Sequence, residues 1–229
     1  MTENLFITGC DRNTEWQLPW FWENYSEYND TPLLFVDFGV SEGTKEWVKY
    51  HIGESMLLPE QEYNVTAQEM NKKSWFKKPA AMESSCGRAK KVCWLDTDCQ
   101  VFGDISGIFD LTVPNKICMV EDRPWTKRRG EYGTWFNSGV VCWEGRPSIL
   151  SAWKEMCITQ GWHGDQETLY AMMGGDEIMK MSIIEPLPHK YNTLRLDYTD
   201  KIAVKNPLIV HHTGDKGNKV IKEQMNNVQ

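Results

Sequence analysis

The 229-residue chain predicts a single α/β domain with a mostly parallel central sheet flanked by helices. Three observations carry that prediction. Asn4 to Thr8 and Leu33 to Asp37 are short apolar runs separated by an aromatic, amphipathic stretch, the pattern of a strand, helix and parallel strand. Val92 to Leu95 repeats the strand pattern and ends in two carboxylates, Asp96 and Asp98. The length suits one domain able to bury a core unaided, and no repeat, low-complexity segment or linker divides it.

Taken in order, Gly9 closes the first strand, and Asp11, Arg12 and Asn13 follow at its carboxyl end. Thr14 is placed to cap the next segment, with Pro19 near its first turn and Trp16, Trp20, Phe21, Tyr25 and Tyr28 at near-helical spacing. Pro32 introduces the second strand. A short helix is expected over 43–53, a short strand over 55–59, and a helical region over 65–89 broken at Pro79. The lysine run 72, 73, 77 and 78 reads as a solvated face, and Asp104 as a helix cap. A strand over 116–121 leads into RPWTKRRGEYGTW, a glycine-containing basic loop that would suit a lid over an anionic ligand, with Lys127, Arg128 and Arg129 as its contacts. Asn137 and Ser138 should then stand just before a strand, with Gly139 allowing close backbone approach. Pro147 starts a helix to about Cys157, and Asp165 is placed to cap another with Gln166 in its first turn. Late strands are expected over 182–185 and 208–211, and the polar tail from about 217 to 229 should fray.

The seven cysteines are odd in number, scattered, and without a C-x-x-C pair, so they read as reduced core thiols. No charged-then-apolar leader and no 18-residue apolar stretch occurs, so neither a signal peptide nor a membrane span is expected, and a cytoplasmic, reducing location fits. A net charge of −7 argues against nucleic acid, whose binding rests on basic surface. It leaves room for a small phosphorylated ligand. The eleven tryptophans suit packing, and flat aromatic faces also suit sugar rings.

Asp96 and Asp98, two apart along an extended chain, point the same way. Their like charges raise the cost of ionising each other unless a cation sits beside them, so the pair is a metal-site candidate as well as a possible solvated turn. In open α/β sheets ligands bind beyond the carboxyl ends of the strands, and Asp11, Asp37, Asp96 and Asp98 should all lie on that edge.

Five stretches, in order, resemble the GT-A fold glycosyltransferases, most closely the retaining family that includes glycogenin and bacterial lipopolysaccharide galactosyltransferases. They are VCWLDTDCQVFGDIS from Val92, FNSGV from Phe136, GDQ from Gly164, LPHKYN from Leu187, and the strand running into His211-x-x-Gly214. The resemblance implies a Rossmann-like GT-A domain that moves a hexose or 6-deoxyhexose from a UDP-sugar donor to a glycan or glycoprotein acceptor, with retention. It implies metal ligation by Asp96, Asp98 and His211, with His212 as the alternative to His211. The oxygen-rich set with one imidazole suits Mn²⁺ better than Ca²⁺, with Mg²⁺ less favoured. Thr8, Gly9, Asp11 and Asp37 would hold the base and ribose, and Asp96 would be shared between metal and ribose. Asn137 and Ser138 would line the sugar pocket, and Asp165 and Gln166 would face the anomeric carbon as the catalytic candidates. Lys78 would be the basic residue ahead of the acidic pair, and Gly214 and Lys216 would approach the diphosphate. One position departs from the family: its lysine six residues after the histidine is Gly217 here, with Lys216 and Lys219 on either side.

The compact chain is most similar to microbial or viral members, chlorella-virus capsid glycosyltransferases among them, which would place it in a host cytoplasm. Two rivals remain from the residues themselves. One is a noncatalytic nucleotide-sugar or glycan-binding domain, perhaps a module of a longer polypeptide. The other is a metal-dependent nucleotidyltransferase or phosphohydrolase, against which the loop GCDRN is poor in glycine. His163, His189 and His51 read as surface or capping residues; Trp125, Trp135 and Trp162 read equally as core or as ligand contacts.

Overall fold

The computed structural model describes residues 2–58, 73–129, 133–159, 164–202 and 204–227. Three runs of apolar residues make the first parallel strands: β1 (Thr2–Cys10), β2 (Leu33–Asp37) and β3 (Leu57–Leu58), joined by α1 (Leu18–Ser26) and by α2 (Glu42–Val48). Then follow α3 (Lys73–Ser85), β4 (Ala89–Leu95), β5 (Cys99–Val101) and β6 (Ile117–Glu121). The chain continues through α4 (Arg123–Arg128), β7 (Phe136–Glu144), α5 (Ser148–Thr159), α6 (Asp165–Met173) and α7 (Glu177–Ile183). It closes with β8 (Ile184–Leu187), β9 (Thr193–Leu194), α8 (Arg195–Thr199), β10 (Ile209–His211) and α9 (Gly214–Asn227). The main sheet runs β3-β2-β1-β4-β7-β6-β8, and β7 alone among these strands is antiparallel to its neighbours. The mostly parallel sheet is as the sequence predicts.

Period-two alternation divides the strand residues between two cores. Ile7, Val36, Trp94 and Val141 pack on one face against Phe76, Leu150 and Trp153 of the helices α3 and α5. Phe6, Phe35, Leu95 and Val140 pack on the other against Phe21 and Tyr25 of α1. All seven cysteines are buried and unpaired by disulfides. A second sheet, β5-β10-β9, stands beyond the carboxyl ends of the central strands. Its antiparallel β5–β10 pair sets Cys99 opposite His211, so the residues after the Asp96–Asp98 turn meet the end of the chain.

Several local expectations are corrected. Thr14 does not cap with its side chain; Asp11 accepts from the Asn13 and Thr14 backbone N–H groups at 2.9 and 3.2 Å. Pro79 does not break α3 but sits buried within it, where packing against the core outweighs one lost backbone bond. Of the expected solvated lysines, Lys78 is buried, while the Lys72 position and the 65–72 part of that helical region lie outside the described residues. Asp104 accepts from the Ser106 N–H at 2.8 Å, at the start of a 3-10 turn. The basic loop begins as α4, capped by the Asp122 side chain, and its residues 130–132 lie outside the described residues. Asn137 and Ser138 are inside β7, not before it. The strand expected over 182–185 starts at Ile184, because α7, capped by Asp176, occupies the preceding residues.

The largest correction is the carboxyl tail. Residues 217–227 belong to α9, an amphipathic helix whose Ile221 is buried against α1 and whose Gln224 Oε1 accepts from Trp20 Nε1 at 3.0 Å. Gly217 lets this helix start where it does: a Cβ there would lie 1.8 Å from the His212 carbonyl oxygen. Gly217→Ala should therefore cost about 1–3 kcal/mol in chemical denaturation by forcing the first turn of α9 outward. Wild-type stability in that variant would show that the helix start is not pinned by this contact.

Candidate active site

A cleft of about 540 Å³ opens at the carboxyl ends of β1 and β4 and the start of β7, the edge where an α/β sheet binds ligands. Its floor is ionic. Lys78, carried in on α3 and only 5% exposed, sets Nζ 3.2 Å from both Asp96 oxygens, 3.0 Å from Asp165 Oδ2 and 3.1 Å from the Ser138 carbonyl. Burial alone would favour the neutral amine, but the two carboxylates outweigh it and the Lys78 pKa is raised. Trp94, two residues before Asp96 on the same strand face, donates its indole N–H to Asp96 Oδ1 at 2.6 Å.

The second half of the floor is His211. Its Nε2 lies 3.0 Å from Asp98 Oδ1 and 3.9 Å from Asp96 Oδ2. Its Nδ1 lies 3.1 and 3.2 Å from the amide oxygens of Asn137 and Asn192, which accept hydrogen bonds, so Nδ1 carries a proton and Nε2 is the atom presented to the carboxylates. Gly139 makes room for the ring, since a Cβ there would lie 2.1 Å from His211 Cε1. Burial lowers the His211 pKa, the Asp98 charge raises it, and the net shift is upward; Asp98 is correspondingly lowered despite its own burial. Asp96 remains raised, because burial and the neighbouring Asp98 charge prevail over Lys78. An imidazole with a fixed tautomer, facing two carboxylates one of which resists ionisation, is a donor set that fits a divalent cation.

Around this floor a polar network sets the walls. Gln166 Oε1 accepts from Asn137 Nδ2 and the Ser138 N–H at 3.2 Å each, and its Nε2 donates to Asp122 Oδ2 at 3.3 Å. Asp165 is the first residue of α6, yet its side chain does not cap that helix as the sequence suggested; the carboxylate goes to Lys78. Trp153 Nε1 fixes the Asp165 carbonyl at 2.8 Å.

Of the residues singled out in the sequence, Gly9, Lys78, Asp96, Asp98, Asn137, Ser138, Asp165, Gln166, His211 and Gly214 line the cleft together. Thr8, Asp11, Asp37 and Lys216 are not among its lining. The Thr8 hydroxyl donates to the Leu95 carbonyl at 2.7 Å. Asp37 is spent on its own loop, accepting from the Gly39 and Val40 N–H groups and pairing with Lys45. Lys216 and Lys219 are exposed on α9, and Lys127, Arg128 and Arg129 stand outside the lining, with Arg128 paired to Asp200 and Arg129 over the Trp125 ring. His212 turns away to Gln100 Oε1 at 3.0 Å, which leaves His211 as the histidine at the acidic pair. Trp125 lines the cleft; Trp135 stacks on Tyr170 with ring centroids 3.7 Å apart; Trp162 and His163 lie outside the described residues. His51 stacks on Trp47, and His189 is half-buried at the turn after β8. Sequence reasoning missed Trp94, Asp122 and Asn192. Each carried a signal: Trp94 shares the Asp96 strand face, Asp122 follows the carboxyl end of β6, and Asn192 closes the LPHKYN stretch.

No family model matches this chain, and no curated protein matches it by sequence. Solved structures do. A galactosyltransferase, LgtC, crystallised with donor and acceptor sugar analogs superposes with a TM-score of 0.70 at 15% identity, over 97% of this chain and 95% of that one. The fold is that of the GT-A glycosyltransferases. A glycosyltransferase involved in glycosylating the major capsid of PBCV-1 gives a TM-score of 0.59 at 15% identity, over 97% of this chain and 98% of the other. The bifunctional glycosyltransferase WbbM gives 0.64 at 14% identity, over 93% of this chain and 46% of that one. No helix among the described residues is long and apolar enough to cross a membrane.

The floor of this cleft is pinned by the buried Lys78. Lys78→Met should cost about 3–5 kcal/mol in equilibrium unfolding, because it leaves the buried Asp165 and the half-buried Asp96 without their cation. A loss under about 1 kcal/mol, the range of exposed pairs, would show that water already solvates this triad.

Proposed function

We propose that the protein is a metal-dependent glycosyltransferase that moves a hexose or 6-deoxyhexose from a UDP-sugar to a glycan or glycoprotein acceptor with retention. The observation that carries the reading is the meeting of His211 Nε2 with Asp98 and Asp96 on the floor of a GT-A cleft. Breaking the bond between an anomeric carbon and a phosphate oxygen builds negative charge on the diphosphate. Mn²⁺, or less favourably Mg²⁺, held by Asp96, Asp98 and His211 would supply Lewis-acid neutralisation of that charge.

The remaining steps belong to the chain's own groups. Gly9 at the end of β1, with Thr14 and Gln17 beyond it, would receive the nucleoside, and Gly214 at the start of α9 the diphosphate. Asn137, Ser138 and Gln166 are already ordered by one another and would hydrogen-bond the sugar without reorganising, which favours the transition state. Retention needs a carboxylate nucleophile or attack from the leaving group's side. Asp165 is held by Lys78 at 3.0 Å and Gln166 is an uncharged amide, so neither suits a nucleophile and front-face attack is favoured, with the departing phosphate accepting the acceptor's proton. The same lysine gives Asp165 a positioning part, setting the first turn of α6 and with it Gln166.

Thermal unfolding with UDP, GDP, CMP or ADP, each with and without Mn²⁺, tests the donor. UDP with Mn²⁺ should raise the melting temperature, equivalent to about 2.7 kcal/mol at a hundredfold excess over Kd, and UDP alone should not. Asp98→Asn should keep the fold and lose both this shift and any transfer or slow donor hydrolysis. A shift without turnover on any donor would favour the noncatalytic binding module, and no shift with any nucleotide would sink the glycosyltransferase reading.

A further inference from the structure

Across the antiparallel β5–β10 pair, Cys99 stands directly opposite His211. Directly opposed residues in such a pair carry their side chains on the same face. Asp98 precedes Cys99 in the chain, and one ligand atom each of Asp98, Cys99 and His211 lie within 4.8 Å of one another. The thiol is not held elsewhere by a strong bond: its Sγ approaches the Gly139 carbonyl at 3.9 Å. Asp96, by contrast, is engaged on both oxygens by Lys78 and on Oδ1 by Trp94, and stands 3.9 Å from His211 Nε2 where Asp98 stands at 3.0 Å. A cation recruiting Asp96 must loosen those bonds. A cation recruiting Cys99 loosens no such bond, and instead must displace the proton of a thiol whose pKa burial and the Asp98 and Asp96 charges raise.

We propose that Asp98, Cys99 and His211 form a second metal-loading mode of the cleft floor, selective for thiophilic divalent ions of the Zn²⁺ and Co²⁺ class. One carboxylate, one thiolate and one imidazole would make a three-ligand set, Asp98 and His211 from the cleft lining and the buried Cys99 behind them, the protein-ligand count of an exchangeable zinc site. Mn²⁺ is the weakest binder of the first-row series and gains least from sulfur, so the two modes sort metals by softness: oxygen-rich through Asp96, sulfur-containing through Cys99. They share Asp98 and His211, so they exclude each other. Zinc would then act as an inhibitor that leaves the Lys78–Asp96 pair closed. The inference shares its residues with the glycosyltransferase reading, and the test below involves no nucleotide or turnover, so either can fail alone.

The experiment is titration of the metal-free protein with Co²⁺, read by absorption. Wild type should develop a near-ultraviolet thiolate-to-cobalt charge-transfer band that saturates at one ion per chain and is abolished by Zn²⁺. Cys99→Ser should lose the band while still binding Mn²⁺ in an electron-paramagnetic-resonance titration, and Asp96→Asn should keep the band while its Mn²⁺ affinity falls at least tenfold. X-ray absorption on the zinc-loaded wild type, which needs no variant to fold, should find one sulfur scatterer at about 2.3 Å. No band in wild type, a band that survives Cys99→Ser, or a zinc shell of nitrogen and oxygen only would overturn the proposal.

Discussion

The buried Lys78 ammonium is the contact on which the rest of the site depends. One nitrogen ties α3 to the end of β4 through Asp96, to β7 through the Ser138 carbonyl, and to α6 through Asp165. A lysine can be kept charged at 5% exposure only because two carboxylates and a carbonyl replace the water it gave up. The aliphatic stem meanwhile reaches the floor from a helix whose neighbours, Phe76, Ala81 and Met82, are packed in the core. Moving any of the four elements would unpair a charge, so the packing of the helical layer and the geometry of the polar floor are a single constraint.

That constraint explains what was legible in the sequence and what was not. Period-two alternation and apolar runs reveal β1, β2 and β4, and they also put Trp94 and Asp96 on one face, which the structure realises as a hydrogen bond. Local rules failed where a tertiary partner took over a polar group. Asp165 has the position of a helix cap and Lys78 lies in a solvated-looking lysine run, and each is withdrawn from its local role by the other. Asp37 lies on the expected sheet edge, where its Oδ1 accepts from two backbone N–H groups of its own loop. The polar tail read as frayed because composition was judged without periodicity. Ile221 and Gln224, three residues apart, give α9 a face that meets α1.

Two glycines carry information that their neighbours' chemistry does not. Gly139 leaves the volume that His211 occupies, and Gly217 brings the first turn of α9 against the backbone of the next residue, His212. Together they hold the end of the chain hard against the acidic turn, with the β5–β10 ladder supplying the register. A long side chain at that position would need the helix to move away from His212, and the lysines on either side are exposed.

Electrostatics then sets the terms on which an anionic ligand can enter. Asp96, Asp98, Asp122, Asp165, Glu167 and Asp215 all line the cleft, and Lys78 and His211 are the basic side chains among the described lining residues. Both are already committed, Lys78 to two carboxylates and His211 to Asp98. A nucleoside diphosphate approaching this surface alone meets a field of its own sign. Asp96, Asp98 and His211 would hold a divalent cation there, which would relieve the repulsion between the two carboxylates and supply positive charge for the diphosphate. On the proposed function, metal and donor therefore bind as one unit, and cation choice becomes the first step of substrate recognition. Cys99 beside that floor matters for this reason: a ligand that alters which ion is held alters whether the anion is admitted at all.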